Sequence, residues 1–222
     1  MSQTLHWEAT TEILQKVLKK LMDLNELKSF RLVSGTSLTL QLGHRISDDI
    51  DMFTDLEYGQ ADFKSIHKLL KSNFNYVGKG TFDDFNIGLM RLVGDSPEVC
   101  VKVDFFYTDP FIRPGLSVEK IRMAHIEDII ASKLHIIADG GRKKDFWDIS
   151  ELLEHYKLSN LLDFVMEKYP WMNQVDVLKG LTDFSRADEM EDPICLKGKI
   201  WELIKLDIKE IVEGFKNSKY ET

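Results

Sequence analysis

Two carboxylates two residues apart in an apolar run constrain this chain more than any other feature. Asp49-Ile50-Asp51-Met52-Phe53 has strand character. A period of two therefore aims Asp49 and Asp51 at one face and Ile50 and Met52 at the other. Like charges side by side repel unless something cationic lies between them, and a divalent ion bound through carboxylate oxygens is the usual solution. Upstream, an apolar strand from Phe30 to Val33 runs into Ser34-Gly35-Thr36-Ser37. A short helix follows, with Leu38 and Leu42 four residues apart. Gly43 stands where a helix C-terminus favours a residue without a Cβ. Arg45-Ile46-Ser47 then leads into the acids.

Size and charge narrow the possibilities. A chain of 222 residues suits one domain with an appendage, or two small domains. Its net charge of −8 argues against binding nucleic acid by a broad basic face, though not against engaging one end of an RNA through a local patch. No apolar run is long enough to span a bilayer, and Met-Ser-Gln-Thr-Leu-His-Trp-Glu lacks the basic and apolar regions of a signal peptide. The expectation is a cytoplasmic protein with no membrane partner. Cys100 and Cys195 fit no metal or redox spacing and are expected to be buried thiols.

Residues 7 to 27 carry helical spacing through Trp7, Ile13, Leu14, Val17, Leu18, Leu21 and Met22. After a loop from Asp55 to Gln60, a helix is expected over Ala61 to Ser72 and a strand over Phe74 to Val77. Phe85 to Val93 and Val99 to Phe106 read as a hairpin, with turn chemistry at Gly94-Asp95-Ser96-Pro97. In its second strand Val99, Val101, Val103 and Phe105 share one face; Cys100, Lys102, Asp104 and Phe106 share the other. An acid mid-strand is out of place unless it faces a polar site. Pro110 and Pro114 bracket a connector over Asp109 to Glu119, and from His125 the pattern is helical.

Within the helix over Ala124 to Ala138, Lys133 falls inside the apolar face of Ile126, Ile129, Ile130, Leu134, Ile136 and Ile137. It must snorkel to an edge or meet a buried negative partner. Gly140-Gly141 ends that helix. Arg142-Lys143-Lys144 is the densest basic cluster, and Asp145 and Asp148 follow in the first turn of the next helix, where the dipole favours carboxylates. Further helices are expected over Leu158 to Tyr169, Val175 to Phe184 and Lys199 to Phe215. The last carries a stripe of Ile200, Leu203, Ile204, Ile208, Ile211 and Phe215. Trp171 and Trp201 read as core residues.

The run Gly-Thr-Ser-Leu-x-Leu-x-Leu-Gly-His-Arg-x-Ser-x-Asp-x-Asp-x-Phe resembles the nucleotidyltransferase superfamily, in the form of the AbiEii/AbiGii abortive-infection toxin family. That family usually opens the motif with two glycines; here Ser34 precedes Gly35. Lys133, Lys144-Asp145 and Asp148-Ile149 fit its later motifs, with lysine at 144 where arginine is more usual.

The resemblance implies an α+β fold: a nucleotidyltransferase-like mixed β-sheet flanked by helices over residues 1–120, with a C-terminal helical bundle over 121–222 contributing to the active-site cleft. It implies transfer of a nucleoside monophosphate from a nucleoside triphosphate to an RNA, such as the end of a tRNA, or to a protein. Asp49, Asp51 and Asp104 would bind Mg²⁺, with Mn²⁺ as the alternative, and Asp104 would accept the acceptor's proton. Ser34, Gly35, Thr36 and Ser37 would hold the terminal phosphates. Arg45 and Ser47 would fix the loop before the acids. Lys133 and Lys144 would neutralise phosphate. Asp145 and Asp148 would orient Lys133 or contact the base or ribose. A separately encoded antitoxin is the implied partner. Two other readings are a small-molecule nucleotidyltransferase of the drug-modifying kind and a nucleotide-binding interaction module without turnover.

Overall fold

Leu14, Val17, Leu18, Leu21 and Met22 recur at helical spacing. In the computed structural model, which describes residues 4–218, they are the buried face of α1 (Glu12–Asp23). Thr11 caps this helix by accepting the Leu14 N–H. α1 is shorter than the expected 7–27 span because Thr10 and Thr11 are extended before it and Leu24 after it, which leaves Trp7–Ala9 and Asn25–Leu27 as separate single turns.

The chain divides into two units. One comprises the residues up to Gly43 together with Ser47–His125; the other comprises His44–Ile46 together with the chain from Ile126 onward.

In the first unit the elements are β1 (Arg31–Leu32), α2 (Ser34–Leu42), β2 (Asp49–Thr54), α3 (Phe63–Asn73), β3 (Tyr76–Asp84), β4 (Gly88–Gly94), β5 (Cys100–Tyr107), β6 (Leu116–Val118) and β7 (Ile121–Met123). The seven strands form one sheet in the order β3-β4-β5-β2-β1-β7-β6. β2 runs parallel to β5 and β1 to β7, and the remaining pairs are antiparallel, so the sheet is mixed. Ile50, Met52, Val101, Val103 and Phe105 turn to one face and join α1 and α3 in a single core, in which Phe30 meets Phe105 edge-on at 5.4 Å. The helices thus cover the face opposite the acids.

Two strand expectations change. The strand begun at Tyr76 continues to Asp84 and pairs with β4, so Phe85 to Ile87 is a turn rather than the start of a strand. The expected connector over Asp109 to Glu119 contains β6, whose hairpin with β7 turns at Glu119 (φ 50°) and Lys120 (φ 68°). Glycine or asparagine usually takes that conformation, so the residues carry no turn signature. Glu119 repays the position by accepting the Leu5 N–H at 3.1 Å and the Trp7 indole N–H at 2.8 Å.

The second unit is helical: α4 (Ile126–Ala138), α5 (Lys143–Leu152), α6 (Leu158–Lys168), α7 (Gln174–Gly180), α8 (Ser185–Asp188) and α9 (Trp201–Ser218). α4 packs against α5, α6 and α7. Gly180 permits the α7 approach, since a Cβ there would lie 2.5 Å from the Ile137 carbonyl oxygen. Trp147 and Trp201 stack at 6.1 Å. α9 buries Trp201, Ile204, Ile208 and Val212; Ile200, Leu203 and Ile211, expected inside, are exposed. Trp171 is 66% exposed rather than core, and Cys100 and Cys195 are half-buried rather than buried. No described helix is long and apolar enough to cross a membrane.

Candidate active site

The phosphate-loop residues lie at the start of α2. Ser34, Gly35, Thr36 and Ser37 are its first turn, not a turn ahead of it. In a first turn the leading N–H groups have no intrahelical acceptor. Ser34 has φ 59°, the left-handed conformation that glycine adopts without cost. The Val33 N–H donates to the Asp51 carbonyl at 2.9 Å, which fixes the start of α2 beside the second acid. At the other end Gly43 is left-handed (φ 61°) as expected, and a Cβ there would meet His6 Nδ1 at 2.7 Å.

The Thr36 and Ser37 hydroxyls serve structure. Thr36 Oγ1 lies 2.7 Å from Ser47 Oγ and donates to the Asp49 carbonyl, while the Ser47 N–H donates to Ala9. These bonds set the entry into β2. Ser37 is fully buried, its hydroxyl facing Gln41 of its own helix.

The parallel register of β2 and β5 decides where the acids meet. Asp51 is opposite Asp104, and Asp49 is opposite Lys102. With alternation along both strands, the three carboxylates and one ammonium share a face. Lys102 Nζ lies 2.7 Å from Asp104 Oδ2. Asp104 Oδ1 is buried and has no hydrogen-bond partner. Burial raises the Asp104 carboxyl to about 6; the Lys102 hydrogen bond opposes this and the Asp51 charge adds to it. Burial alone would lower the Lys102 ammonium, but its hydrogen bond to Asp104 and the charges of Asp104, Asp49 and Asp51 outweigh that and raise it. Among the described residues no group of three or more His, Cys, Asp or Glu side chains is already arranged to hold a metal ion. The donor set nevertheless suits a hard cation: it is all carboxylate oxygen, it carries excess negative charge, and one buried oxygen is unpartnered.

The second unit holds a different kind of cluster. Lys133 is 1% exposed, and its Nζ lies 2.6 Å from both Asp145 Oδ1 and Asp148 Oδ2. Lys133 does not snorkel; its negative partners belong to the chain. Asp148, fully buried, also binds Arg45 through Nε (2.6 Å) and Nη2 (2.9 Å) and accepts from His44 Nε2 (2.8 Å). Asp145 accepts from the Arg142 backbone N–H (3.1 Å) and guanidinium (2.9 Å), so it also caps α5. Burial works against both carboxylates. For Asp145, Lys133 and then Arg142 outweigh it and hold the group at about 2. For Asp148, Arg45, Lys133 and His44 hold it well below the ordinary range.

The basic run Arg142-Lys143-Lys144 is not one patch. Arg142 serves Asp145 and stays part-exposed; Lys143 is buried against Asp192 at 2.9 Å; Lys144 is half-buried. Two participants lie outside the expected set. Lys102 was legible from its alternation with Asp104. His44 sits inside the Gly-His-Arg run, but its pairing with a residue 104 positions away left no local trace.

A mixed sheet with paired acids on one strand, a third acid on its parallel neighbour and a glycine-bearing helix start defines a nucleotidyltransferase-like protein. The chain belongs to the AbiEii family, described as nucleotidyl transferase AbiEii toxin, type IV toxin–antitoxin system, whose pattern matches residues 16–213. An uncharacterized protein of Aquifex aeolicus, aq_aa25, is 31% identical over 213 residues, covering 90% of this chain and 96% of that one. Among solved structures, a putative nucleotidyltransferase from H. pylori is similar in fold at a TM-score of 0.56 and 20% identity, covering 95% of this chain and 94% of its own. MenT4, a nucleotidyltransferase toxin from Mycobacterium tuberculosis H37Rv, is similar at 0.54 and 13% identity, covering 89% and 80%. The chain is therefore a nucleotidyltransferase of a toxin family.

Proposed function

We propose that the chain is the toxin of a toxin–antitoxin pair acting in abortive infection, working in the cytoplasm, and that it transfers a nucleoside monophosphate from a nucleoside triphosphate to the end of an RNA such as a tRNA. The observation that carries this reading is the pairing of Asp51 with Asp104 across β2 and β5, on the face that also bears Asp49. Mg²⁺ held by Asp49, Asp51 and Asp104 would offset phosphate charge and polarise the reacting oxygens; Mn²⁺ is the alternative ion.

The chain's residues do the rest. The Ser34, Gly35 and Thr36 N–H groups bind terminal phosphate oxygens at the start of α2. Ser37, Thr36 and Ser47 act through the backbone they hold. Asp104 takes the proton of the acceptor hydroxyl as that oxygen bonds to the α-phosphorus and the bond to pyrophosphate breaks. Lys133 and Lys144 supply positive charge that favours a polyanionic substrate. Asp145 and Asp148 are positioning residues for Lys133 and Arg45, a role their complete burial supports. The surplus of the second cluster is positive: Arg45, Lys133 and Arg142 stand against two carboxylates. The cognate antitoxin is the partner.

Asp51→Ala tests the reading. It should lower transfer of label from an α-labelled triphosphate to RNA at least about a hundredfold while leaving the circular dichroism spectrum unchanged. Expression of the unaltered chain should slow growth, and expression of Asp51→Ala should not. Undiminished transfer would remove the carboxylate mechanism, and label appearing on protein instead would move the acceptor to that class.

A further inference from the structure

β5 puts a cation of the chain's own among the acids. Lys102 and Asp104 share a strand face, and in the register with β2 they stand across from Asp49 and Asp51. The Lys102 ammonium lies 2.7 Å from Asp104 Oδ2. The two side chains differ in their access to water: Lys102 is 37% exposed and Asp104 10%. A lysine on a flexible four-carbon stem at such a position can give up its bond and keep its charge hydrated. Asp104 has no such freedom, and its other oxygen is buried without a partner. A fixed positive charge beside a cation site lowers that site's affinity, so Lys102 is a cost unless it does something in the ion's absence.

We propose that Lys102 is a tethered counter-ion that holds the place of a divalent cation in the free chain and is displaced when the ion arrives. The inference rests on the reading of the acid face as a cation site. Asp51 and Asp104 occupy adjacent strands, and with nothing between them their charges oppose the β2–β5 pairing. The ammonium offsets part of that repulsion. An ion that engages Asp104 through Oδ2 takes that oxygen from Lys102, and one held by Oδ1 stands beside the same ammonium and repels it, so binding of the ion and release of the lysine are one exchange.

The test is titration of the full chain with Mn²⁺ alone, followed by loss of the free-ion paramagnetic resonance signal, beside thermal unfolding with and without the ion. Lys102→Met should bind Mn²⁺ about tenfold more tightly than the unaltered chain. It should also melt lower without the ion and gain more from saturating Mn²⁺. Lys102→Arg, which keeps the charge, should bind within about threefold of the unaltered chain. If Lys102→Met does not fold, Lys102→Gln carries the same comparison. Uptake of Mn²⁺ by the unaltered chain with equal or weaker uptake by the neutral variants overturns this inference alone. No uptake by the unaltered chain overturns the cation-site reading and this inference with it.

Discussion

The acid face of the sheet and the charged cluster of the helical unit contain similar residues and are built on opposite principles. On β2 and β5, three carboxylates meet one lysine, and a buried oxygen of Asp104 goes unpaired. In the helical unit, Asp145 and Asp148 are buried completely, and Lys133, Arg45, Arg142 and His44 meet them in hydrogen-bond contact. The first arrangement leaves one buried carboxylate oxygen, Asp104 Oδ1, without a hydrogen bond. In the second the two carboxylates have met their own demand, and the cluster serves as a fixed frame, although His44 Nδ1 is buried without a hydrogen-bond partner. Burial shows the same difference through opposite consequences: it prevails at Asp104 and raises the carboxyl, but is overcome at Asp145 and Asp148 by neighbouring cations.

The comparison can be broken most easily at Asp148. Replacing it with Ala leaves Arg45 and Lys133 without a shared partner in a buried setting and should cost about 3–5 kcal/mol in denaturant unfolding. Asp51→Ala, which relieves repulsion, should cost far less. Equal losses in the two variants would show that the clusters do not differ as described.

Acid offers a smaller test. Asp145 sits at about 2 in the folded chain against an ordinary 3.8, so its contribution is present above about pH 4 and is lost as pH falls through 2. The loss should be about 2 kcal/mol in equilibrium unfolding over that window. Asp104 runs the other way, since its folded value of about 6 lies above 3.8. Lys133→Met should shrink the acid-dependent loss; an unchanged profile would detach it from the cluster.

The smallest expected effect is at Ser34, whose φ of 59° is strained for a residue with a Cβ. Ser34→Gly should stabilise the chain by under about 1 kcal/mol, because glycine's greater unfolded-state freedom offsets part of the relief. A thermal shift of a few degrees upward would sharpen the comparison by placing strain on the acid-bearing side; a downward shift would deny it.

Local rules explain what could be read early. Strict alternation set Asp49 and Asp51 apart from Ile50 and Met52, and Gly43 ended α2 as its left-handed geometry requires. Local rules also explain the misses. Glu119 and Lys120 make their turn without glycine, so β6 fell inside the expected connector and β7 beyond it drew no strand expectation. The stripe assigned to α9 held Ile204 and Ile208, which packing on α5 and α6 buries, but it also took in Ile200 and Leu203, which are exposed, and left out the buried Val212. Lys102 shared a visible periodicity with Asp104, but nothing along the strand said that its ammonium would bind that carboxylate.

By itself the sequence determined which side chains share a strand face, where α2 ends, and which residue types could hold a cation or a phosphate, because periodicity and backbone preference act over a few residues. Only the tertiary structure decided that Asp104 stands beside Asp51 and that Asp148 gathers His44, Arg45 and Lys133. Those neighbours are set by strand register and helix packing across long stretches of chain, where contact depends on the whole fold and no local spacing records it.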